Sequence, residues 1–136
     1  MKRTKAAILY TDGASRGNPG DGGAGAVLYD VDGKVLASRK KYLGRCTNNV
    51  AEYQALILGL KLALENEYRS LSVFLDSELL VKQIKGIYRV KNAALQTLMQ
   101  EVTALLARMD HYTVEHVARS YNAHADRLAN EAIDEA

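Results

Sequence analysis

Ala6-Ala-Ile-Leu-Tyr-Thr-Asp-Gly-Ala-Ser-Arg-Gly-Asn-Pro-Gly20 is the stretch from which the fold can be read. Ala6 to Thr11 is an apolar run of the length and type that forms a buried strand. The run ends on Asp12, and a segment dense in turn formers follows, as far as Gly23. Leu71-Ser-Val-Phe-Leu-Asp76 repeats the pattern more briefly, an apolar run closed by a carboxylate. Two such strands are expected to lie side by side and parallel. In open α/β sheets functional groups collect beyond the carboxyl ends of the strands, so Asp12 and Asp76 should meet at one edge.

Outward from these two runs, Ala24 to Tyr29 and Lys34 to Tyr42 read as strands. The tight turn Asp30-Val-Asp-Gly33 joins them, which predicts an antiparallel hairpin. A helix should begin near Thr47 or Asn48, both good cap residues. Tyr53, Leu56, Ile57, Leu60, Ala63 and Leu64 give it an i, i+3, i+4, i+7 stripe. Gly59 inside it costs about 1 kcal/mol against alanine, which a close approach of helix to sheet would explain. A short helix over Ser77 to Ile84, a long periodic one over Ala93 to Met109, a strand over His111 to Val117 and a final helix over Asn122 to Ile133 complete the chain. The order βββαβααβα is a mixed α/β pattern.

Glu52 lies one turn into the first helix and Asp126 in the last. With Asp12 and Asp76 they make four carboxylates that the fold could gather at one point. Carboxylates without matching cations repel one another. Mg²⁺ and Mn²⁺, with their preference for hard oxygen ligands, are the usual compensation. The set therefore points to metal-assisted phosphoryl chemistry.

The chain has 136 residues, 48% hydrophobic and 25% charged, which fits one compact domain. A net charge of +2 provides no strong field toward nucleic acid, so any such contact must rest on local patches. Cys46 is the only cysteine, which excludes an internal disulfide and a cysteine zinc site and suits a reducing compartment. The start is basic, and the apolar run after it is too short for a membrane span or a signal-peptide core. A cytoplasmic protein is expected.

Four segments, taken together, resemble the type 1 ribonuclease H family. They are Thr11-Asp-Gly-Ala-Ser-Arg-Gly-Asn-Pro-Gly20, Thr47-Asn-Asn-Val-Ala-Glu-Tyr53, Leu75-Asp-Ser-Glu-Leu-Leu80 and Asn122-Ala-His-Ala-Asp-Arg-Leu-Ala-Asn130. Each alone is weak; all four in order, with the expected elements between them, are specific. The resemblance implies a ribonuclease H-like α/β fold, a five-stranded mixed sheet flanked by helices on both faces, in a single domain over residues 1–136. It implies endonucleolytic cleavage of the RNA strand of RNA–DNA hybrids, with 5′-phosphate and 3′-hydroxyl ends and little sequence specificity.

By matching position, Asp12, Glu52, Asp76 and Asp126 would be both catalytic and metal-binding. They would hold two Mg²⁺ ions, for which Mn²⁺ could substitute. Such a pair, about 4 Å apart, activates a water on one side and stabilises the leaving oxygen on the other. Asp12 would bridge both ions, and Glu52 would lie near the 2′-hydroxyl that distinguishes RNA. Gly13, Ser15, Asn18, Thr47, Asn48 and Asn49 would bind substrate through phosphate and sugar contacts that do not read bases. The partner implied is an RNA–DNA hybrid, met by a monomer needing neither a protein partner nor a membrane.

The chain also departs from the family. The basic helical protrusion of some members is absent, because Gly86-Ile-Tyr-Arg-Val-Lys-Asn92 links the neighbouring helices directly. Lys82, Lys85 and Arg89 recur at spacings of three and four and would share a helical face, with Lys85 and Arg89 gripping the DNA strand and Lys91 nearby. Glu78 stands where glutamine is frequent and adds negative charge beside the site. The loop histidine of many members has no counterpart, and His124 does not match it. Arg119 resembles the arginine of a shorter-loop branch. It cannot release a proton at neutral pH, so it acts electrostatically or on product release, or else forms a surface pair.

Arg39-Lys-Lys41 with Arg45 reads equally as a nucleic-acid patch or as an edge strand blunted by charge. His111 and His116 read as structural, His124 as a surface residue and Cys46 as inert. Two rival functions remain: a hybrid-binding module without catalysis, and a junction nuclease or integrase-type strand transferase on the same fold. The first should have lost a metal carboxylate. The second does not account for the Gly-Asn-Pro-Gly and Thr-Asn-Asn segments.

Overall fold

The computed structural model describes residues 5–136; the basic start at Lys2 and Arg3 lies outside the described residues. The strands are β1 (Lys5–Ser15), β2 (Gly20–Tyr29), β3 (Val35–Cys46), β4 (Tyr68–Leu75) and β5 (His111–His116). The helices are α1 (Asn48–Glu65), α2 (Glu78–Ile84), α3 (Ala93–Leu106) and α4 (Ala123–Asp134), with a short 3-10 turn over Arg119–Asn122 before α4. The strands form one sheet in the order β3-β2-β1-β4-β5. β1 is parallel to β4 and β2 is antiparallel to β3, both as expected; β1 is also antiparallel to β2, and β4 is parallel to β5.

Side-chain caps start α1, α2 and α3, while α4 has no side-chain cap bond. Thr47 Oγ1 accepts the N–H of Val50 at 3.2 Å, Ser77 Oγ that of Leu80 at 3.2 Å, and Asn92 Oδ1 that of Leu95 at 3.1 Å. The core lies between the sheet and α1, backed by α3. Leu9, Val73 and Leu75 from the strands meet Tyr53, Leu56 and Leu60 from α1 and Val102 from α3, all fully enclosed. Tyr53 keeps its hydroxyl satisfied by donating to Gln83 Oε1 at 2.7 Å. α4 covers the opposite face, over β1, β2 and β3.

The glycine-rich segment differs from the expectation of a long turn. Asp12 does not end its strand: β1 continues to Ser15, β2 begins at Gly20, and only residues 16–19 form the connection. Gly13 and Gly25 are ladder residues, Gly25 opposite Asp12. Their missing side chains admit helices rather than turns. A Cβ at Gly25 would lie 2.2 Å from the carbonyl oxygen of Ala125, and one at Gly23 2.1 Å from that of Ala129. Gly59 meets the same need from the helix side, since a Cβ there would lie 2.5 Å from Thr11 Cγ2.

Other expectations are corrected. α2 ends at Ile84 and Gly86 turns the chain at φ +77°, so Arg89 lies in a loop and shares no helical face with Lys82 and Lys85. Glu78 pairs with Lys82 at 3.0 Å, and Lys85 with Glu115 at 3.3 Å. β3 is the sheet edge, with Arg39 bound to Glu65 at 2.6 Å and Lys40 to Glu131 and Glu135. These cations are spent on the fold, which favours the blunted edge over a nucleic-acid patch. His111 and His116 are exposed at the two ends of β5 and support no core.

Gly25→Ala should cost about 1–3 kcal/mol of stability by forcing α4 off the sheet. The urea midpoint measures it, and an unchanged midpoint would mean that α4 yields freely.

Candidate active site

Each of the four carboxylates comes from a different element. Asp12 projects from β1, Asp76 follows the last residue of β4, Glu52 stands in the second turn of α1 and Asp126 in the first turn of α4. Parallel pairing of Thr11 with Leu75 sets the residues after them, Asp12 and Asp76, side by side. Gly13 brings in Glu52, because a Cβ on it would lie 2.1 Å from the carbonyl carbon of Ala51. One ligand oxygen from each of Asp12, Glu52 and Asp76 lies within 4.8 Å of the others. Asp12 is 4% exposed and Glu52 6%. Asp126 adjoins this trio through a hydrogen bond with Asp12.

Such crowding acts on the protons. Burial, then Glu52, a hydrogen bond with Asp126, and Asp76 push the Asp12 carboxyl far above the usual carboxylate range. Burial and Asp76 also push Glu52 up, opposed by hydrogen bonds from Asp12 and the Gly13 N–H and by the charge of Arg119. Buried, mutually repelling oxygen donors are the ligand set that a hard divalent cation fits.

The four carboxylates and Arg119 line one cleft of about 370 Å³ with Gly13, Ser15, Arg16, Asn48, Ser77 and Asn130. Ser15 is held there by donating to the carbonyl of Cys46 at 2.8 Å. A neighbouring cleft of about 500 Å³ gathers Asn18, Thr47, Asn48 and Asn49. Asn48 belongs to both, and its N–H donates to Asn18 Oδ1 at 3.1 Å. Lys85 and Arg89 line neither cleft, and neither does Glu78. His124 lies instead against Tyr29, its Nδ1 3.2 Å from the hydroxyl. Burial pushes the Cys46 thiol up, away from the reactive thiolate.

Several site residues escaped the sequence reading, Ser77 and Asn130 of the first cleft among them. Asn122, 1% exposed, donates from Nδ2 to the Thr11 carbonyl at 2.9 Å and to Asp76 Oδ2 at 3.2 Å, tying the chain before α4 to both parallel strands. Its place in the Asn122–Asn130 segment was the available signal. Asn92 faces the second cleft as the cap of α3. Arg16 lines the first cleft from the β1–β2 connection, where the turn composition concealed it.

A pH dependence follows for the metal-free protein. The folded state holds protons on Asp12 and Glu52 that the unfolded chain releases near pH 4. The stability these two groups contribute is therefore greatest below about pH 4 and declines as pH rises toward the raised folded values. Melting in EDTA should give a Tm that falls between about pH 5 and about pH 8, and Asp12→Asn should raise it at the upper end. A Tm rising across that window would contradict the assignment of repulsion.

A family profile described as reverse transcriptase-like matches residues 10–132. A bifunctional protein of Mycobacterium tuberculosis is 44% identical over 130 residues, covering 95% of this chain and 36% of that protein. The chain thus spans about a third of that relative's length, which is 36% covered. The crystal structure of RNase H1 from the halophilic archaeon Halobacterium salinarum is 40% identical with a TM-score of 0.94, over 96% of this chain and 99% of that one. LC11-RNase H1, crystallised with an RNA/DNA hybrid, is 40% identical with a TM-score of 0.89, over 95% and 97% of the two chains. The matched span takes in all four cleft carboxylates, and the chain belongs to the type 1 ribonuclease H family.

Proposed function

We propose that this chain is a single ribonuclease H domain, residues 1–136, that hydrolyses the RNA strand of RNA–DNA hybrids. The products would carry 5′-phosphate and 3′-hydroxyl ends, and base identity would matter little. The observation that carries this reading is the convergence of Asp12, Glu52, Asp76 and Asp126 on one cleft in a chain of this family. The hybrid bound to the similar LC11-RNase H1 supports the choice of substrate. Among the described residues no helix is long and apolar enough to cross a membrane. We place the enzyme in the cytoplasm, acting as a monomer without an obligate protein partner.

The four carboxylates would hold Mg²⁺, with Mn²⁺ able to substitute. Bound there, two such ions supply an activated water and stabilisation of the leaving 3′ oxygen. The protein's own part is positioning. The β1–β4 pairing fixes the spacing of Asp12 and Asp76, and Asn122 orients Asp76 by its hydrogen bond. Gly13 N–H and Arg119 favour the ionised form of Glu52 and so oppose the effect of its buried setting. Arg119, always charged, would stabilise developing negative charge or aid product release, not donate a proton.

The second cleft supplies Asn18, Thr47, Asn48 and Asn49 for backbone contacts that track shape. Asn48, common to both clefts, makes that surface continuous with the carboxylates. Lys85 and Arg89 are retained as outer contacts to the DNA strand, with the Glu115 partner of Lys85 a competitor for its charge.

The test is an end-labelled hybrid incubated with Mg²⁺, Mn²⁺ or EDTA beside matched RNA and DNA duplexes. Metal-dependent cutting of the hybrid's RNA strand alone is expected, and Asp12→Asn should abolish it in a folded protein. Tight hybrid binding without cutting under any metal would turn the chain into a binding module. Arg119→Ala should lower turnover more than it weakens hybrid binding, and unchanged turnover would remove Arg119 from the site.

A further inference from the structure

We propose that Arg16 is a phosphate-binding residue of the cleft, kept in place by Asp134 until a nucleic-acid backbone displaces that carboxylate. This rests on the reading of the cleft as a nuclease site. Among the cleft-lining residues four are carboxylates and two are cations, Arg16 and Arg119. A polyanion entering such a cleft meets repulsion at once, and a net charge of +2 offers little help at long range. Local cations must supply the attraction. On that reading Arg119 serves the charge that develops at the reacting phosphate, which leaves Arg16 for the incoming backbone.

The partners of Arg16 suit an exchange. Its Nη1 lies 2.7 Å from Asp134 Oδ1, while Nη2 reaches the carbonyl and Oδ1 of Asn130 only at 3.4 Å each. One short contact thus holds the guanidinium, and both members of that pair are open to water, 45% for Arg16 and 62% for Asp134. Exposed ion pairs contribute roughly 0–1 kcal/mol, so giving one up costs little. The planar guanidinium fork matches a phosphate in two parallel hydrogen bonds. Asn130 ties this position to the reaction centre, since its Nδ2 donates to the backbone carbonyl of Asp126 at 3.0 Å and to Oδ1 at 3.4 Å. A phosphate gripped by Arg16 is therefore registered against Asp126.

A purely structural role makes the opposite forecast. If the Arg16–Asp134 bridge only pins α4 to the β1–β2 connection, then removing either partner harms the protein in the same direction. If Asp134 competes with phosphate, the two substitutions act in opposite directions. The experiment measures KM and kcat for hybrid cleavage in Mg²⁺ across a KCl series, with Tm alongside, for the wild type, Arg16→Ala, Asp134→Asn and the double variant.

Arg16→Ala should raise KM several-fold with kcat little altered, and flatten the salt dependence by about one ion. Asp134→Asn should lower KM several-fold at low salt, and this gain should vanish in the Arg16→Ala background. An unchanged KM in Arg16→Ala overturns the proposal. So does a KM raised by both substitutions together with a lowered Tm, or an Asp134→Asn gain that survives without Arg16. A well-folded wild type that cuts no hybrid would instead overturn the nuclease reading on which the inference stands.

Discussion

Three carboxylates with ligand oxygens within 4.8 Å of one another are a repulsive arrangement that no chain adopts unless its packing compels it. Here the compulsion is backbone pairing. β1 and β4 are locked by parallel hydrogen bonds along seven residue pairs, from Lys5 with Tyr68 to Thr11 with Leu75, so Asp12 and Asp76 cannot drift apart. α1 carries Glu52 beside a fully buried stripe of Tyr53, Leu56 and Leu60, so it cannot swing away without opening the core. The hydrophobic burial that builds the domain thus holds the strain of its cleft, and the charges remain as a latent attraction for cations.

Close approach is the second requirement, and glycine meets it in three strand positions and one helical position. At Gly13, Gly23 and Gly25 any side chain would enter helix backbone, and at Gly59 it would strike Thr11 and Leu9. Gly13 admits α1 from one face and Gly23 and Gly25 admit α4 from the other, so Glu52 and Asp126 reach one cleft from opposite sides of the sheet.

Most of the architecture was legible because its signals are local. The apolar run closed by Asp76, a stripe at helical period, and the cap at Thr47 all act within a few residues, and the structure carries each of them. The glycine-rich stretch after Asp12 misled for a physical reason: composition does not separate a glycine that bends a chain from one that yields space to a helix. Long-range partners were equally hidden. Nothing near Asn122 announces a bond to Thr11, which stands 111 residues earlier, and nothing near Lys40 announces Glu131 and Glu135. Arg89 was misplaced because its spacing from Lys85 fits a helix that Gly86 has already ended. The cleft's carboxylates could be named from sequence, while the residues that orient them became visible only with the sheet assembled.

The scatter of those carboxylates along the chain, from residue 12 to residue 126, has a kinetic corollary. β1, β4 and α1 must be docked before a cation finds more than two ligands, α4 adds only Asp126, and the pairing of β1 with β4 already demands distant contacts. A transition state for folding in which β1 and β4 are not yet paired and α1 is not docked offers the ion nothing it does not also have in the unfolded chain. Metal would then leave the folding rate nearly unchanged and slow unfolding, a difference visible as movement of a single limb of the chevron. In this chain, the cation would act as a latch set after folding rather than as a nucleus for it.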